Sequence, residues 1–391
     1  MKRRIAVLGS TGSVGAQALS LIAERRDLFD VVFLSAHRSH QSLSEQVRKF
    51  APKRVCLSSA ASPVSGDSPP REWLRGAEGI LAGLSATAPD LVLNAITGAA
   101  GLPASEWALR EGIDLALANK ESLVIAGDLL TGLARASGAN ILPVDSEHCA
   151  IAQCLRGNQL ERVRSVHLTG SGGPFRDRPL GEFAGITPAE ALRHPTWEMG
   201  PRITIGSATM MNKAFEILEA HWLFGLSADR IRVLIHPQSV IHSMVEFVDG
   251  SVMAQLGVPD MRVPILYCLG YPDRLAFPTF EPLDLRRIAN LSFLAVDPAR
   301  YPAVPLAYQV LARGGDAGAR FNAADEVATA AFLAGRIPFQ AITTIVERVV
   351  LEAPSRPIES LTDALLADSQ AREQTTRLLP DFATVAGGPN A

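Results

Sequence analysis

A short apolar run that leads into a glycine-rich turn and then a helical pattern constrains the fold of this chain more than any other stretch. The run covers residues 5–8 and is typical of a strand buried on both faces of a parallel sheet. Gly9, Gly12 and Gly15 follow, and glycines at this spacing allow a tight turn and a close approach of backbone N–H groups to a pyrophosphate. The helical pattern from Ala16 would add the positive end of its dipole. An ordinary glycine turn is the alternative, and the flanking strand and helix favour a dinucleotide site.

Strand and helix patterns continue to alternate along the first part of the chain. Apolar runs at 31–34, 90–96 and 113–118 predict further buried strands, with helical segments between them. This alternation is typical of a doubly wound parallel sheet, which binds ligands at the carboxyl ends of its strands. Residues 57–71 are rich in Ser, Ala, Pro and Gly and predict a surface loop. We therefore predict a Rossmann-like domain over residues 1–145.

The residues after the second predicted strand indicate which dinucleotide would bind. An NAD site usually carries an Asp or Glu at this point to hold the ribose hydroxyls, and neither is present. His37, Arg38 and Ser39 suit a 2′-phosphate instead, so we predict NADP, with a solvated basic turn as the alternative. Lys120 also follows a predicted strand, and the sequence leaves open whether it meets a ligand or forms a surface pair with Glu121.

Two carboxylates, Asp145 and Glu147, stand directly after a short apolar run at 141–142. In extended backbone, residues two apart point to one side, and two carboxylates at the end of a core strand are costly unless a cation or a basic group meets them. Asp145 or Ser146 could instead cap a following helix, with Glu147 in its first turn. A third carboxylate, Glu216, lies in a helical segment with phosphate-binding residue types and favours a metal site.

That helical segment, from Ser207 to Glu216, combines several polar groups. We predict that Ser207 caps the helix, with its hydroxyl near the positive end of the dipole. Asn212 and Glu216 are four residues apart and would share a face, and Lys213 is three residues before Glu216. Such a helix could hold a phosphate at one end and a cation at the other. The alternative is a capped amphipathic helix with an exposed Lys213–Glu216 pair.

Two loops add candidate ligand-binding residues. Ser171 stands among glycines after a strand predicted at 165–169, where its hydroxyl and nearby backbone N–H groups could meet an anion. Prolines and glycines punctuate residues 174–201, which predicts a mobile loop. Trp197 in this loop could pack down or close over a ligand.

The remaining patterns complete the predicted domain organisation. Strand patterns at 232–235, 245–248 and 251–256 predict a second sheet, a candidate dimer surface. The predicted division is an NADP-binding domain at 1–145, a central α+β catalytic and dimerisation domain with a lid loop at 146–283, a linker at 284–300, and a C-terminal helical domain at 301–391.

Composition narrows the classes of partner and compartment. A net charge of −3 gives no reason to expect nucleic acid or an acidic membrane surface. The four cysteines form neither a disulfide framework nor a paired metal-ligand pattern, which fits a reducing cytosol. The apolar run near the start is too short for a signal peptide, and no run reaches the roughly 18 residues of a membrane span. We expect a cytoplasmic protein without nucleic-acid or membrane partners.

Taken together, these stretches resemble the 1-deoxy-D-xylulose-5-phosphate reductoisomerase family of the non-mevalonate isoprenoid pathway. The resemblance is carried, between residues 9 and 326, by GSTGSVG, ANKESLV, PVDSEH, LTGSGGPF, RHPTWEMG, SATMMNK, HPQSVIHSMV and NAADE. It implies a homodimeric oxidoreductase that isomerises a phosphorylated ketose and reduces the resulting branched aldehyde with NADPH. The product implied is 2-C-methyl-D-erythritol 4-phosphate.

The resemblance also implies roles for individual residues. The implied ligands of a divalent metal (Mn²⁺, Mg²⁺ or Co²⁺) are Asp145, Glu147 and Glu216. The implied substrate-binding residues are Ser146, Glu147, Ser171, His194, Ser207, Asn212, Lys213 and Glu216, of which Ser171, Ser207, Asn212 and Lys213 would hold the phosphate. The implied catalytic residues are Lys120, Glu147, His194 and Trp197, the last two in a lid that excludes water. The implied cofactor-binding residues are Thr11, Gly12, Ser13, Val14, Arg38, Ser39, Asn119, Lys120, Glu121 and Gly200.

The sequence departs from the family pattern at three positions, and two other readings compete. Gly206 replaces an acidic residue, Ala214 a glycine and Asp325 an asparagine. A semialdehyde dehydrogenase-like enzyme would share the glycine turn but needs a cysteine nucleophile, for which Cys149 and Cys154 are available. A catalytically silent NADP-sensing protein would need neither three carboxylates nor a phosphate site.

Overall fold

The computed structural model describes residues 1–59, 73–193, 200–277, 279–352 and 354–383 of the chain. The chain divides into two units, each formed by separate stretches of sequence. The first comprises Met1–Ser122, Leu130–Cys149 and Asp260–Phe280. The second comprises Leu123–Leu129, Ala150–Pro259 and Glu281–Ala391.

Seven parallel strands among the described residues form the sheet of the first unit. They are β1 (Arg3–Leu8), β2 (Phe29–Ala36), β3 (Arg54–Leu57), β4 (Trp73–Arg75), β5 (Leu91–Asn94), β6 (Asp114–Leu117) and β7 (Ile141–Pro143). Their order across the sheet is β4-β3-β2-β1-β5-β6-β7, so the direction of winding reverses between β1 and β5. In sheets of this kind ligands bind where the order reverses, at the carboxyl ends of the strands.

Helices connect these strands, as parallel pairing requires. They are α1 (Ser13–Glu24), α2 (His40–Phe50), α3 (Gly76–Thr87), α4 (Leu102–Arg110) and α5 (Lys120–Ser137), followed by α6 (Ser146–Leu155), which continues into the second unit. The central strand β1 is buried on both faces, with Ile5, Val7 and Leu8 fully inaccessible. This burial explains its continuous apolar run. Ala126 interrupts α5 with non-helical backbone angles.

A mixed sheet of five strands organises the second unit. The strands are β8 (Val163–Gly170), β9 (Ile231–Ile235), β10 (Ile241–Phe247), β11 (Val252–Leu256) and β12 (Leu294–Ala295), in the order β11-β10-β8-β9-β12. Only the β8–β9 pair is parallel. In the strand order, β11 lies at one edge of this sheet.

Among the described residues, the second unit also contains seven α-helices, while α10 (Arg262–Gly270) belongs to the first unit. They are α7 (Pro188–Ala191), α8 (Pro201–Ala208), α9 (Met211–Phe224), α11 (Ala303–Arg313), α12 (Ala317–Leu333), α13 (Ala341–Leu351) and α14 (Leu361–Leu378). The helix α12 packs against α8, α11, α13 and α14. Aromatic contacts join these helices to one another: the rings of Phe215 on α9 and Phe321 on α12 have centroids 5.1 Å apart.

The predicted fold class is confirmed: a Rossmann-like parallel sheet, a mixed α+β region and a helical C-terminal region all occur. Three short strands, β3, β4 and β12, escaped prediction, and β12 lies within the predicted linker. The four-part division into domains stays a prediction. Among the described residues, no helix is both long enough and apolar enough to cross a membrane.

Candidate active site

The glycine turn after β1 has the geometry that its sequence predicts. Gly9 has a φ of +71°, and a Cβ added there would lie 2.5 Å from the carbonyl oxygen of Ala95. A Cβ on Gly15 would lie 2.4 Å from the carbonyl oxygen of Gly9. Only glycine fits at either position. The turn and the first residues of α1 hold four of the predicted cofactor-binding residues: Thr11, Gly12, Ser13 and Val14.

The predicted 2′-phosphate residues follow the neighbouring strand of the sheet. Arg38 and Ser39 are exposed, directly after the end of β2, which pairs with β1. His37 is held by Ser58, whose Oγ lies 3.1 Å from its Nδ1. The Arg38 guanidinium is therefore at the same end of the sheet as the glycine turn.

A hydrogen-bonded cluster joins the ends of β5 and β6. The Asn119 side chain donates to the Gly98 carbonyl oxygen and to Glu121 Oε2, at 2.9 Å each. The Gly98 backbone N–H donates to the other Glu121 oxygen at 3.1 Å. Glu121 is buried, so the alternative of a surface Lys120–Glu121 pair is wrong. Its carboxylate instead accepts hydrogen bonds from Gly98 and Asn119 and so stabilises the turn that follows β5.

Lys120 binds Asp145, the residue that follows β7 and Val144. The ammonium contacts the Asp145 carboxylate, and both side chains are largely buried. Burial opposes ionisation of Asp145, but the positive charges of Lys120 and His148 outweigh it and lower the pKa of the carboxyl. Asp145 is therefore a carboxylate at neutral pH, as metal binding requires.

Asp145, Ser146 and Glu147 are brought together at the start of α6. This helix begins at Ser146, so Asp145 occupies the position before the helix and Glu147 lies in its first turn. The Ser146 hydroxyl donates to Glu147 Oε2 at 2.5 Å. The helix-start alternative and a ligand role are thus compatible. Carboxylates supply only oxygen ligands, so this pair is suited to a hard divalent cation such as Mg²⁺ or Mn²⁺.

In the second unit, Asn212, Lys213 and Glu216 form a buried cluster at the start of α9. Glu216 is 0% exposed and Lys213 is 3% exposed. The Lys213 ammonium contacts one Glu216 oxygen and donates to the Thr169 carbonyl oxygen at 2.5 Å. Asn212 Nδ2 donates to the other Glu216 oxygen at 2.6 Å. The exposed Lys213–Glu216 pair considered as an alternative is therefore wrong, because this pair is inside the protein.

Ser207 does not cap this helix, contrary to the prediction from sequence. The segment is two helices, and Ser207 lies in the last turn of α8 while α9 begins at Met211. Met210 separates them with a left-handed backbone, φ 58°. The Thr209 hydroxyl supports the break by bonding to the Ile205 carbonyl oxygen and accepting from the Met211 N–H. Ser207 thus approaches the cluster from the C-terminal end of α8.

The Ser171 loop packs against the end of α8. The Gly173 N–H donates to Ser171 Oγ at 3.2 Å. Gly173 has a φ of +67°, and a Cβ there would lie 2.7 Å from the Ser207 carbonyl oxygen. A Cβ on Gly170 would lie 2.9 Å from Lys213 Cε. The end of β8, the end of α8 and the start of α9 therefore converge, and the four predicted phosphate-binding residues lie on these elements.

Sequence reasoning missed two residues that hold the Ser171 loop. The Tyr301 hydroxyl donates to the Gly172 carbonyl oxygen at 2.8 Å. Arg300 donates to the carbonyl oxygens of Phe175 and Arg178 at 2.9 and 2.6 Å. More than a hundred residues separate these partners, so no local pattern could have indicated them.

Three predicted residues belong to the stretch that precedes α8. His194 and Trp197 lie outside the described residues. Gly200 is described: it is exposed and directly precedes Pro201, the first residue of α8. The lid role predicted for this stretch stays a prediction.

The cysteines do not favour a thiol nucleophile. Cys149 and Cys154 are 1% and 4% exposed. Burial raises the pKa of the Cys154 thiol, which disfavours the reactive thiolate. A dehydrogenase that acts through a cysteine in an electropositive, accessible site is not supported by these surroundings.

Family models match three consecutive parts of the chain. The model described as 1-deoxy-D-xylulose 5-phosphate reductoisomerase matches residues 5–127. The model of the C-terminal domain of the same enzyme matches residues 141–224. A model described as DXP reductoisomerase C-terminal domain matches residues 256–374.

Whole-chain comparisons agree with these matches. A 1-deoxy-D-xylulose 5-phosphate reductoisomerase from Anaeromyxobacter sp. (strain K) is 48% identical, covering 96% of this chain and 97% of its own. That of Geobacter metallireducens is 46% identical, covering 96% and 99%. The Zymomonas mobilis enzyme in complex with NADPH matches with a TM-score of 0.91 and 40% identity over 98% and 100% of the chains. A reductoisomerase structure with NADPH, fosmidomycin and magnesium has a TM-score of 0.90 and 36% identity over 97% and 98%.

Proposed function

The chain belongs to the 1-deoxy-D-xylulose 5-phosphate reductoisomerase family, and from that premise we propose which of its residues perform the reaction. The enzyme isomerises 1-deoxy-D-xylulose 5-phosphate and reduces the branched aldehyde to 2-C-methyl-D-erythritol 4-phosphate. It uses NADPH and a divalent metal, and it acts in isoprenoid biosynthesis.

NADPH binds, in this proposal, at the carboxyl ends of β1, β2 and β6. The glycine turn and the start of α1 would receive the pyrophosphate, because backbone N–H groups and the helix dipole both favour an anion there. Arg38 and Ser39 would hold the 2′-phosphate. The turn shaped by Asn119 and Glu121 would position the nicotinamide half.

Asp145, Glu147 and Glu216 are the proposed metal ligands. Their carboxylate oxygens match the preference of Mg²⁺ and Mn²⁺. When bound, such a metal supplies Lewis-acid polarisation of the substrate's carbonyl and adjacent hydroxyl groups. Lys120 keeps Asp145 ionised and close to the end of β7, and Ser146 orients the Glu147 carboxylate.

Lys213, Asn212, Ser207 and Ser171 would hold the substrate phosphate. The buried Lys213 ammonium is the single observation that carries the proposal, since a buried cation whose bonded partners include a carboxylate can exchange that partner for a phosphate oxygen. The hydroxyls of Ser171 and Ser207 and the Asn212 amide would complete the anion site. His194 and Trp197 would exclude water from the reacting carbons.

The test measures NADPH oxidation and Mn²⁺ affinity in parallel. The parent should oxidise NADPH with 1-deoxy-D-xylulose 5-phosphate only when a divalent metal is present. Glu216→Gln should lose turnover and Mn²⁺ affinity, measured by calorimetry, while NADPH affinity persists because the glycine turn is intact. Glu246→Gln is the matched control: this carboxylate on β10 accepts from Ser165 at 2.8 Å and pairs with Arg164 and Arg232, which lie on β8 and β9. Parent-like Mn²⁺ affinity in Glu216→Gln would contradict the ligand assignment.

A homodimer through the edge of the mixed sheet is the proposed assembly. On β11, the edge strand, Val252 and Met253 are 54% and 45% exposed. An exposed apolar edge strand favours pairing with another chain, here a second copy. Met253→Lys should yield a monomer by light scattering, and Leu366→Lys, at an exposed apolar position on α14, should not. A dimer that survives Met253→Lys would contradict this surface. The cytoplasmic location stays a prediction.

A further inference from the structure

Arg202, in the first turn of α8, is bound by three acceptors on a single helix. Its guanidinium donates to the Asn322 side-chain oxygen at 3.1 Å. It also pairs with Asp325 at 3.5 Å and with Glu326 at 3.2 Å. All three acceptors lie on α12, where Asp325 is 4% exposed. The contact therefore fixes α8 against a buried helix.

The acceptors on α12 are themselves held from α14. Arg372 donates to Glu326 at 2.7 Å and to Asp368 at 2.6 Å. Asn322 Nδ2 donates to Glu326 at 3.1 Å and to Asp368 at 3.2 Å. The acceptors that Arg202 contacts are therefore held in place by hydrogen bonds within α12 and between α12 and α14.

The helix that Arg202 anchors carries a substrate residue at its other end. Ser207 is five residues further along α8, so the two side chains lie roughly 140° apart around the helix axis. One face of α8 thereby meets α12 while another meets the Gly173 loop and the start of α9. Because α8 has only eight residues, a displacement of its first turn would also displace its last turn.

We propose that Arg202 is a positioning residue for substrate phosphate binding, which it supports by clamping α8 to α12 so that Ser207 is held at the phosphate site. The proposal rests on the phosphate role proposed above for Ser207. In this role Arg202 acts through the position of Ser207, and its own partners are on α12. Its planar guanidinium offers five N–H donors in a fixed arrangement, which the three donors of a lysine ammonium do not reproduce.

Asp325 makes the clamp sensitive to protonation. The charged groups around it are Arg202 from α8, Glu326 on its own helix, and Asp368 and Arg372 from α14. Burial raises the pKa of Asp325 to about 6, with Arg202 lowering it and Glu326 raising it. As the pH falls through this value, Arg202 loses one ionic partner and keeps Glu326 and Asn322.

The test compares the Michaelis constants of three variants with the parent. Arg202→Met should raise KM for the ketose phosphate about tenfold, because the phosphate would lose its charge-assisted hydrogen bond from Ser207, and should leave KM for NADPH unchanged. Arg348→Met is the control, since it removes a cation of α13 that pairs with Glu352 and Asp381 and with none of the Arg202 acceptors, and its KM should stay near that of the parent. Ser207→Ala should also raise KM. The two effects should not add in the double variant, because both act through Ser207.

A second variant, Asp325→Asn, tests the proposal even if Arg202→Met does not fold. At about pH 8, Asp325→Asn should raise KM for the ketose phosphate roughly threefold. The increase should vanish at about pH 5, where the parent carboxyl is protonated too. The substrate's own phosphate titrates in this range, equally for parent and variant.

The outcomes separate this inference from the proposed function. Parent-like KM values in Arg202→Met, or in Asp325→Asn at about pH 8, would overturn the clamp while a raised KM in Ser207→Ala upholds the phosphate site. A parent-like KM in Ser207→Ala would overturn both. Equal increases in Arg202→Met and Arg348→Met would also overturn the clamp, because the effect would then be a general loss of packing.

Discussion

Replacing Asp325 by Asn should stabilise the protein at neutral pH, although it removes an ion pair. The carboxyl of Asp325 is 4% exposed, and burial raises its pKa from 3.8 to about 6 despite the Arg202 guanidinium. The folded state therefore holds this proton more tightly than the unfolded state does. Between these two pKa values the folded state binds more protons, so the stability contributed by this group falls as the pH rises.

The size of the effect follows from the shift. A change of one unit corresponds to about 1.4 kcal/mol, so a shift from 3.8 to about 6 costs about 3 kcal/mol once Asp325 is fully ionised, above about pH 7. Asparagine has nearly the same shape and no charge to desolvate. Asp325→Asn should therefore be about 3 kcal/mol more stable than the parent at about pH 8 and nearly equal to it at about pH 4.

Urea unfolding followed by circular dichroism, at several pH values, measures this difference. Asp368→Asn is the matched control, because its carboxylate binds Arg372 at 2.6 Å in the same network, and its loss should destabilise the protein. An Asp325→Asn protein less stable than the parent at about pH 8 would refute the reasoning. So would a difference that does not shrink toward acid pH. At about pH 8, Asp325→Asn should therefore be more stable than the parent and also have a higher KM for the substrate. Such a combination is expected of a buried ion pair that positions other residues and does not stabilise the fold.

Two further predictions follow from the first unit and from α5. Arg38→Ala should raise KM for NADPH and leave KM for NADH nearly unchanged in steady-state kinetics; equal losses with both cofactors would exclude contact with the 2′-phosphate. Gly127→Ala should destabilise the protein by about 1–3 kcal/mol in urea unfolding, because the added Cβ would lie 2.2 Å from the Trp222 ring. Gly132→Ala in the same helix meets no atom within 4 Å and should be neutral or stabilising; equal losses for both would show that packing is not the cause.

Local sequence patterns were sufficient to predict the strands and turns in which every residue faces the same kind of environment. The run at 5–8 is apolar because β1 is covered on both faces, and Gly9 and Gly15 are glycines because backbone oxygens occupy the space of a Cβ. These constraints act within a few residues, so the sequence displays them. The parallel sheet, the glycine turn and the positions of Asp145 and Glu147 after β7 were predictable for this reason.

The break between α8 and α9 was not predictable by the same means. Methionine rarely adopts the left-handed conformation that Met210 has, and the pattern from 207 to 216 is continuous in sequence. The bonds of the Thr209 hydroxyl and the packing of Gly173 against the end of α8 stabilise the break. The Arg202 contacts with α12 likewise span about 120 residues. Tertiary contacts of this kind leave no periodic signal.

If Lys213 binds the phosphate and Glu216 binds the cation, as proposed above, their buried pair should make the two affinities mutually dependent. In the protein without ligands, each charge neutralises the other. An anion that draws Lys213 away removes this neutralisation from Glu216, and a cation at Glu216 removes it from Lys213. Either ligand therefore lowers the free-energy cost of binding the other, and linkage requires the two effects to be equal. Inorganic phosphate should tighten Mn²⁺ binding by the same factor by which Mn²⁺ tightens phosphate binding, and Lys213→Met should abolish this cooperativity.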